Sequence, residues 1–334
     1  MLTTKKSRIA LVMGDPCGIG PELTIKLLSE PDVASAADIV VVAGRQVYSA
    51  GENIVGRKIF CPVIEQVTAE TFTDHNMVLL SEPELDCRQF ALGKVAKESG
   101  QYQLDCLASA LNLCRGGLVD GICFAPLNKE AMHLAGLKHE DESGFFLDHL
   151  GHTGRFGLLN TLGNLWTSRA TSHVAHRQVS DLITQDAVLE AIRLLDSTLR
   201  ATGKVRPRIA VAGLNPHAGD GGMFGDEEIK IIGPAVKLAQ KEDITVDGPF
   251  PPDTIFLMGR DGKYDAIVTM YHDQGQIAMK LMGFDHGVTV HAGLPFPITT
   301  SAHGSAYDIA GKNVASVNAL RAAFTLACSM TGMG

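Results

Sequence analysis

An α/β fold of two interleaved α/β/α subdomains is what this sequence predicts, on three observations. Short Val- and Ile-rich runs alternate with longer segments of helical period, the pattern of parallel strands joined by crossover helices. The 334 residues exceed the roughly 250–300 at which a single hydrophobic core stops growing. No linker, repeat or low-complexity tract cuts the chain in two, so the subdomains are interleaved and not strung in series.

Taken in order, the strands are Ile9–Met13, Ile39–Ala43, Gly121–Phe124, Asn164–Ala170, Ile209–Gly213 and Ala266–Met270, each bounded by Gly, Pro, Asp or Asn. Between them, apolar residues at helical spacing predict helices at Glu22–Leu28, Gln101–Cys114, Gln185–Leu199 and Glu227–Gln240. Ser99 is placed to cap the second, Pro21 suits the first turn of its helix, and Pro234 should kink or divide the fourth.

Composition narrows the function. With 45% hydrophobic, 20% charged and 6% aromatic residues the chain is neither disordered nor collagen-like. Lys and Arg number 29 against 37 Asp and Glu, a net charge of -8 without a basic block, which argues against a nucleic-acid partner. Seven cysteines, odd in number and never in a C-x-x-C pair, read as reduced thiols. The apolar run Ile9–Met13 is too short for a signal peptide or a membrane span, so a cytoplasmic protein without a membrane partner is expected.

Chemistry-bearing loops follow the strands, where ligands bind in open α/β folds. GDPCGIGPE (14–22) runs from a strand into a helix, and its glycines allow close backbone approach. It matches neither G-x-G-x-x-G nor a Walker loop, and alone it reads first as a structural strand-to-helix turn and only second as a binding loop. RATSHVAH (169–176), GLNPHAGDGG (213–222) and MYHDQG (270–275) each carry a histidine just past a strand: His173, His217 and His272. Three such imidazoles suit a Zn, Co, Ni or Mn-type ion, although spacing alone does not show that they converge. His176 is the rival ligand in its loop, while His133, His139, His149 and His152 read as surface side chains. HGSAYDIAGKN (303–313) supplies small residues and Asp308, an acid able to accept both hydroxyls of a ribose and so favour NAD over NADP; a ligand-free helix start is the alternative.

Six ordered stretches carry a resemblance: GDPCGIGPE, APLNKEA (125–131), LNPHAGDGG (214–222), GPFPPDT (248–254), YHDQG (271–275), and GLPF (293–296) followed by HGSA (303–306). Together they closely resemble the 4-hydroxythreonine-4-phosphate dehydrogenase family, from residue 14 to about 313. The final segment also looks like the adenosine-binding loop of the isocitrate and isopropylmalate dehydrogenases, which share the fold. The resemblance implies subdomains 1–125 plus 286–334 on the cofactor side, and 126–285 for metal, substrate and dimerisation, around a cleft. It implies a homodimer in which His173, His217 and His272 hold one divalent metal (Zn, Co, Mn, Ni or Mg), with ligands from one subunit or from both. It implies NAD bound at Gly304, Ser305, Ala306 and Asp308. It implies oxidation of a secondary alcohol β to a carboxylate, followed by decarboxylation. By position Lys280 is the substrate lysine, binding carboxylate or acting as an acid, while Asp273 and Asp253 orient groups or handle protons.

Two departures bear on the substrate. Where the family has G-H-T-E the chain has Asp141-Glu142-Ser143-Gly144, so Glu142 and Ser143 stand at substrate-contacting positions. The GHTG at 151–154 falls ten residues late and reads as a helix-end turn. The family's Asn before GLPF and Arg after it are Thr289 and Ile298 here, which removes a planar donor for phosphate or carboxylate. Glu142 would repel a phosphate unless a cation sits between them. The substrate is then 4-hydroxythreonine 4-phosphate or a related 4-phosphorylated acid (threonate or erythronate 4-phosphate). The alternative is an unphosphorylated, terephthalate-type cis-dihydrodiol carboxylate. A metal-dependent hydrolase or a non-catalytic metal-binding relative is the reading from another class.

Overall fold

The computed structural model describes residues 6–81, 83–86 and 91–332; Cys87 lies outside them. The other six cysteines are free thiols. No helix among the described residues is long and apolar enough to cross a membrane.

The chain begins with β1 (Ser7–Val12), α1 (Gly20–Leu28), α2 (Pro31–Ala36), β2 (Ala37–Val42), α3 (Arg45–Val55), β3 (Val63–Ile64), β4 (Met77–Leu80), α4 (Lys97–Arg115), β5 (Gly121–Phe124), α5 (Lys129–Leu134) and α6 (Glu142–Leu150). It continues through β6 (Gly157–Leu162), β7 (Leu165–Arg169), α7 (Val179–Leu182), α8 (Gln185–Ala201), β8 (Ile209–Ala212), α9 (Gly233–Lys241), β9 (Val246–Phe250), α10 (Ile255–Arg260), β10 (Ala266–Thr269), α11 (His272–Gly283) and β11 (Gly287–Ala292). It closes with β12 (Ile298–Ser301) and α12 (Asn318–Thr331). Residues up to Thr153 form one compact unit with those from Leu294 onward, and Gly154–Gly293 form the other.

These borders differ from the expected ones for physical reasons. Residues 126–153 stay with the first unit because Phe124 meets Phe146 edge-on at 6.0 Å. In addition, α4 lies so close to α5 that a Cβ on Gly100 would stand 1.9 Å from the Ala131 carbonyl oxygen. Residues 287–292 stay with the second because β11 pairs along its length with β6.

In the first unit the strand order is β3-β4-β2-β1-β5-β12, with parallel pairing throughout. Ile9–Val12 and Ile39–Val42 are fully buried, as expected of parallel strands covered on both faces. From β1 the chain moves outward to β2 and then returns on β1's other side as β5, so the strand order reverses between β1 and β5. The loop 13–19 and the loop 125–128 leave the carboxyl ends at that reversal, the place where open α/β sheets receive ligands.

In the second unit the order is β11-β6-β7-β10-β8-β9. Parallel pairing fails at β6, which runs antiparallel to both β11 and β7. The cause is a two-residue turn, Gly163-Asn164, with Gly163 at φ 57. β7, β10, β8 and β9 are mutually parallel, so the loops after them leave one edge of the sheet.

Two local expectations are corrected. Ser99 does not cap α4, which begins at Lys97; its hydroxyl instead donates to Asp15 Oδ1 at 2.6 Å. Pro234 leaves its mark upstream: residues Glu228–Ile232 wind as a π turn and the Gly233 N–H reaches back to the Glu228 carbonyl. Proline cannot donate to the helical ladder and crowds the carbonyl four residues back, so the turn before it widens.

Asp265 anchors the start of β10. It accepts from Lys204 Nζ (2.7 Å), the Arg208 amide (2.9 Å) and Arg208 Nη2 (3.0 Å). Burial alone would raise its carboxyl, but the hydrogen bonds from Arg208 and Lys204 hold it down at about 2. A folded-state pKa below the ordinary 3.8 stabilises the fold above that value, and the gain is lost as pH falls from about 4 to about 2. Asp265→Asn should therefore cost about 1–2 kcal/mol at neutral pH. In denaturant melts the gap to wild type should close by about pH 2; a gap constant with pH would refute the assignment.

Candidate active site

In the second unit the three predicted metal histidines follow neighbouring strands. His173 follows β7, His272 follows β10 and His217 follows β8, and β10 lies between the other two in the sheet. Adjacent strands are about 4.8 Å apart, so the three loops start within about 10 Å of one another across that edge. The His173 and His272 rings are neighbours, centroids 5.4 Å apart. His272 Nδ1 donates to Asp273 Oδ1 at 2.7 Å, which fixes the tautomer and leaves the Nε2 lone pair able to accept a metal or a proton. A pocket of about 270 Å³ opens here, lined by His173, His176, Val179, Tyr271, His272 and Asp273. His176 stands edge-on to Tyr271 at 5.3 Å.

His217 is not drawn into that pair. No group of three or more His, Cys, Asp or Glu side chains fit to hold a metal occurs among the described residues. His217 is exposed, edge-on to Phe224 at 6.2 Å, on a loop whose residues 217–221 all have positive φ. Glu228, buried at the π turn, fixes that loop by accepting from the Leu214 and Asn215 amides at 2.8 and 2.7 Å.

The other predicted residues of this unit spread along the same region. Asp253 is exposed beyond β9. Lys280 is exposed on α11, about 12 Å of helical rise beyond His272. Thr289 accepts from Asn160 Nδ2 at 3.0 Å, and Asn160 Oδ1 in turn accepts from Arg169 Nη1 at 3.0 Å. Arg169 Nε also reaches Ser172 Oγ at 3.1 Å, tying this network to the histidine loop. Neither Asn160 nor Arg169 stands out by spacing, because Asn160 sits in β6, whose sequence has no clear period, and Arg169 simply ends β7.

In the first unit three predicted loops converge at the β1/β5 reversal. The Ile19 amide donates to the Ser305 carbonyl at 3.0 Å, and a Cβ on Gly18 would stand 2.6 Å from that of Ser305, so only glycine permits the approach. Gly304 faces open space, Ala306 is left-handed at φ 43, and Asp308 is exposed. Asp15, wholly buried, accepts from Ser99 Oγ (2.6 Å), the Cys17 amide (2.9 Å) and Tyr307 Oη (2.6 Å). Burial pushes its carboxyl up while those three hydrogen bonds pull against it. An acid between Gly14 and Pro16, directly after a buried strand, was the visible signal for Asp15; Tyr307 had none.

Glu142 is buried at the start of α6, 3.0 Å from Lys129 Nζ, and the Ser143 amide donates to the helix-capping Asp141 at 2.8 Å. A cation thus stands beside the Glu142 carboxylate. The GHTG segment is a helix-end turn as expected, with Gly151 left-handed after α6.

The family model described as pyridoxal phosphate biosynthetic protein PdxA matches residues 35–327. The chain belongs to this family. Among its PdxA relatives, a Pseudomonas aeruginosa protein provisionally named 4-hydroxythreonine-4-phosphate dehydrogenase 2 is 49% identical over 97% of this chain and 96% of its own. A Salmonella typhimurium protein named D-threonate 4-phosphate dehydrogenase is 37% identical, covering 96% of this chain and 98% of its own. The crystal structure of a Klebsiella pneumoniae 4-hydroxythreonine-4-phosphate dehydrogenase superposes with a TM-score of 0.83 at 37% identity, over 97% of this chain and 99% of that one. PdxA membership makes this chain an oxidoreductase of the dehydrogenase kind and accounts for its mixed α/β architecture.

Proposed function

We propose that this PdxA protein is a cytoplasmic, homodimeric dehydrogenase that uses NAD and one divalent metal. It would oxidise the secondary alcohol β to the carboxylate of a 4-phosphorylated hydroxy acid, after which the keto acid loses carbon dioxide. The observation that carries this reading is the set of histidine loops leaving one edge of β7, β10 and β8, two of whose rings are in contact.

The donor set fits a divalent ion. Imidazole is an adaptable ligand, and the Asp273 carboxylate on His272 is the partner that orients a ligating histidine. His173 and His272 would hold the ion, and His217, outside the pair in a single chain, would complete the set across the homodimer. When bound, the metal would supply Lewis-acid stabilisation of the oxygen that carries charge. NAD, held by Gly304, Ser305, Ala306 and Asp308, would accept the hydride.

The chain's own groups do the rest. Asp273 keeps the His272 ring aimed, and Lys280 offers a mobile ammonium to the substrate carboxylate or a proton to carbon. Asp253, exposed at the same sheet edge, is placed to exchange protons with solvent. Thr289, held by Asn160, and Ser143 offer hydroxyls to substrate oxygens. The Lys129–Glu142 pair is compatible with a phosphorylated substrate, because Lys129 offsets the charge that would otherwise repel phosphate. The relative named for D-threonate 4-phosphate supports the same class.

The test is NADH formation by metal-reconstituted protein, with carbon dioxide detection. The panel comprises 4-hydroxythreonine, threonate and erythronate 4-phosphates, their unphosphorylated forms and a cis-dihydrodiol carboxylate. Turnover confined to phosphorylated acids is expected. Turnover only of unphosphorylated or aromatic acids would overturn the substrate assignment, and no NADH from any of them would overturn the dehydrogenase reading.

A further inference from the structure

The loop that carries Gly304–Asp308 is gripped from two directions by one circuit of hydrogen bonds, closed through the backbone of Asn128 and of residues 305–307. Tyr307 donates to Asp15 Oδ2 at 2.6 Å, and Ser99 donates to Asp15 Oδ1 at 2.6 Å. Gln103 Nε2 donates to Ser99 Oγ at 3.1 Å, and Gln103 Oε1 accepts from the Asn128 amide at 2.7 Å. Asn128 Nδ2 then reaches Ser305 Oγ at 3.5 Å, two residues from where the circuit began. Asp15, Ser99 and Gln103 are wholly buried, so the middle of the ring is shielded from competing water. The ring joins the loop after β1, the first turns of α4, the N-cap of α5 and the loop after β12.

That circuit encloses a strained residue. Ala306, between the two grips, has φ 43, a left-handed conformation that costs a non-glycine residue about 1–2 kcal/mol. Such a conformation persists only where its surroundings over-determine it. We infer that the ring is a positioning device that presets the 303–308 loop in its nucleotide-receiving shape, with Tyr307 as the positioning residue. This rests on the assignment of that loop to NAD in the proposed function. A loop already ordered before binding loses less conformational freedom when the cofactor arrives, so the ring acts on affinity and not on the hydride step.

Tyr307→Phe removes one hydroxyl from a half-buried ring, and Ser99→Ala breaks the circuit at a residue that does not touch the loop. Each should raise the NAD dissociation constant, read by calorimetry, and the KM for NAD, by about tenfold for the first and less for the second. kcat at saturating NAD should stay within about twofold of wild type, and the double variant should do less than the two effects combined. In the cofactor-free protein, amide exchange across 303–310 should quicken about tenfold in Tyr307→Phe. Unchanged exchange in that variant would overturn the inference, as would unchanged NAD affinity beside a wild type that binds NAD. Wild-type protein that binds no NAD would sink the cofactor assignment instead, and the exchange result would then decide the positioning role alone.

Discussion

His272→Ala protein should form NADH at least about a thousandfold more slowly than wild type and should purify with little bound metal. The scale follows from losing several kcal/mol of Lewis-acid stabilisation, each 1.36 kcal/mol being about tenfold in rate. Neighbouring residues should respond in graded fashion. Asp273 touches His272 Nδ1 at 2.7 Å and acts through the ring, so Asp273→Asn should weaken metal affinity by about 10–100-fold. His176 stands against Tyr271, and His176→Ala should stay within about twofold in both metal content and rate. Metal analysis of the purified proteins beside steady-state rates makes the comparison. A His272→Ala enzyme with full metal content and full activity would remove the histidine edge from the mechanism.

Gly100→Ala should cost about 3 kcal/mol or more and lower the melting temperature by roughly 4 °C or more. The added methyl would stand 1.9 Å from the Ala131 carbonyl oxygen and 2.2 Å from its carbon, both backbone atoms that no rotamer change can move aside. Relief requires α5 to shift away from α4. Yet Asn128 caps α5 by accepting from the Ala131 amide at 2.8 Å and is itself held by Gln103. The damage should therefore spread to the 303–308 loop. Gly304→Ala, whose methyl meets nothing within 4 Å, serves as the stability control and should melt with wild type. Equal melting of Gly100→Ala and wild type would show that the helices are looser than their packing indicates.

Legibility in the sequence tracked burial. The predicted strand Gly121–Phe124 coincides with β5, and Ile209–Gly213 and Ala266–Met270 differ from β8 and β10 by one residue, because fully buried parallel strands are uninterrupted apolar runs. Strands β6, β11 and β12 escaped notice. LLNTL, GVTVHA and ITTS place polar residues at buried positions, so no uninterrupted apolar run marks them. The histidine loops were legible because each chemical residue follows a strong strand. The ring around Asp15 was not. Its members lie at positions 15, 99, 103, 128, 305 and 307, and only folding reveals that four separated segments meet there.

The insertion of Gly154–Gly293 between two stretches of the first unit also has a consequence during synthesis. The second unit is one continuous stretch and leaves the ribosome entire while the first still lacks β12 and α12. Until those arrive, β5 presents an unpaired edge, and the core contributed by Leu320, Ala323 and Phe324 is missing. At about 5–20 residues per second, the roughly 175 residues between β5 and β12 keep that edge open for about 10–35 seconds. During that interval, the edge is open to pairing with a strand of another chain.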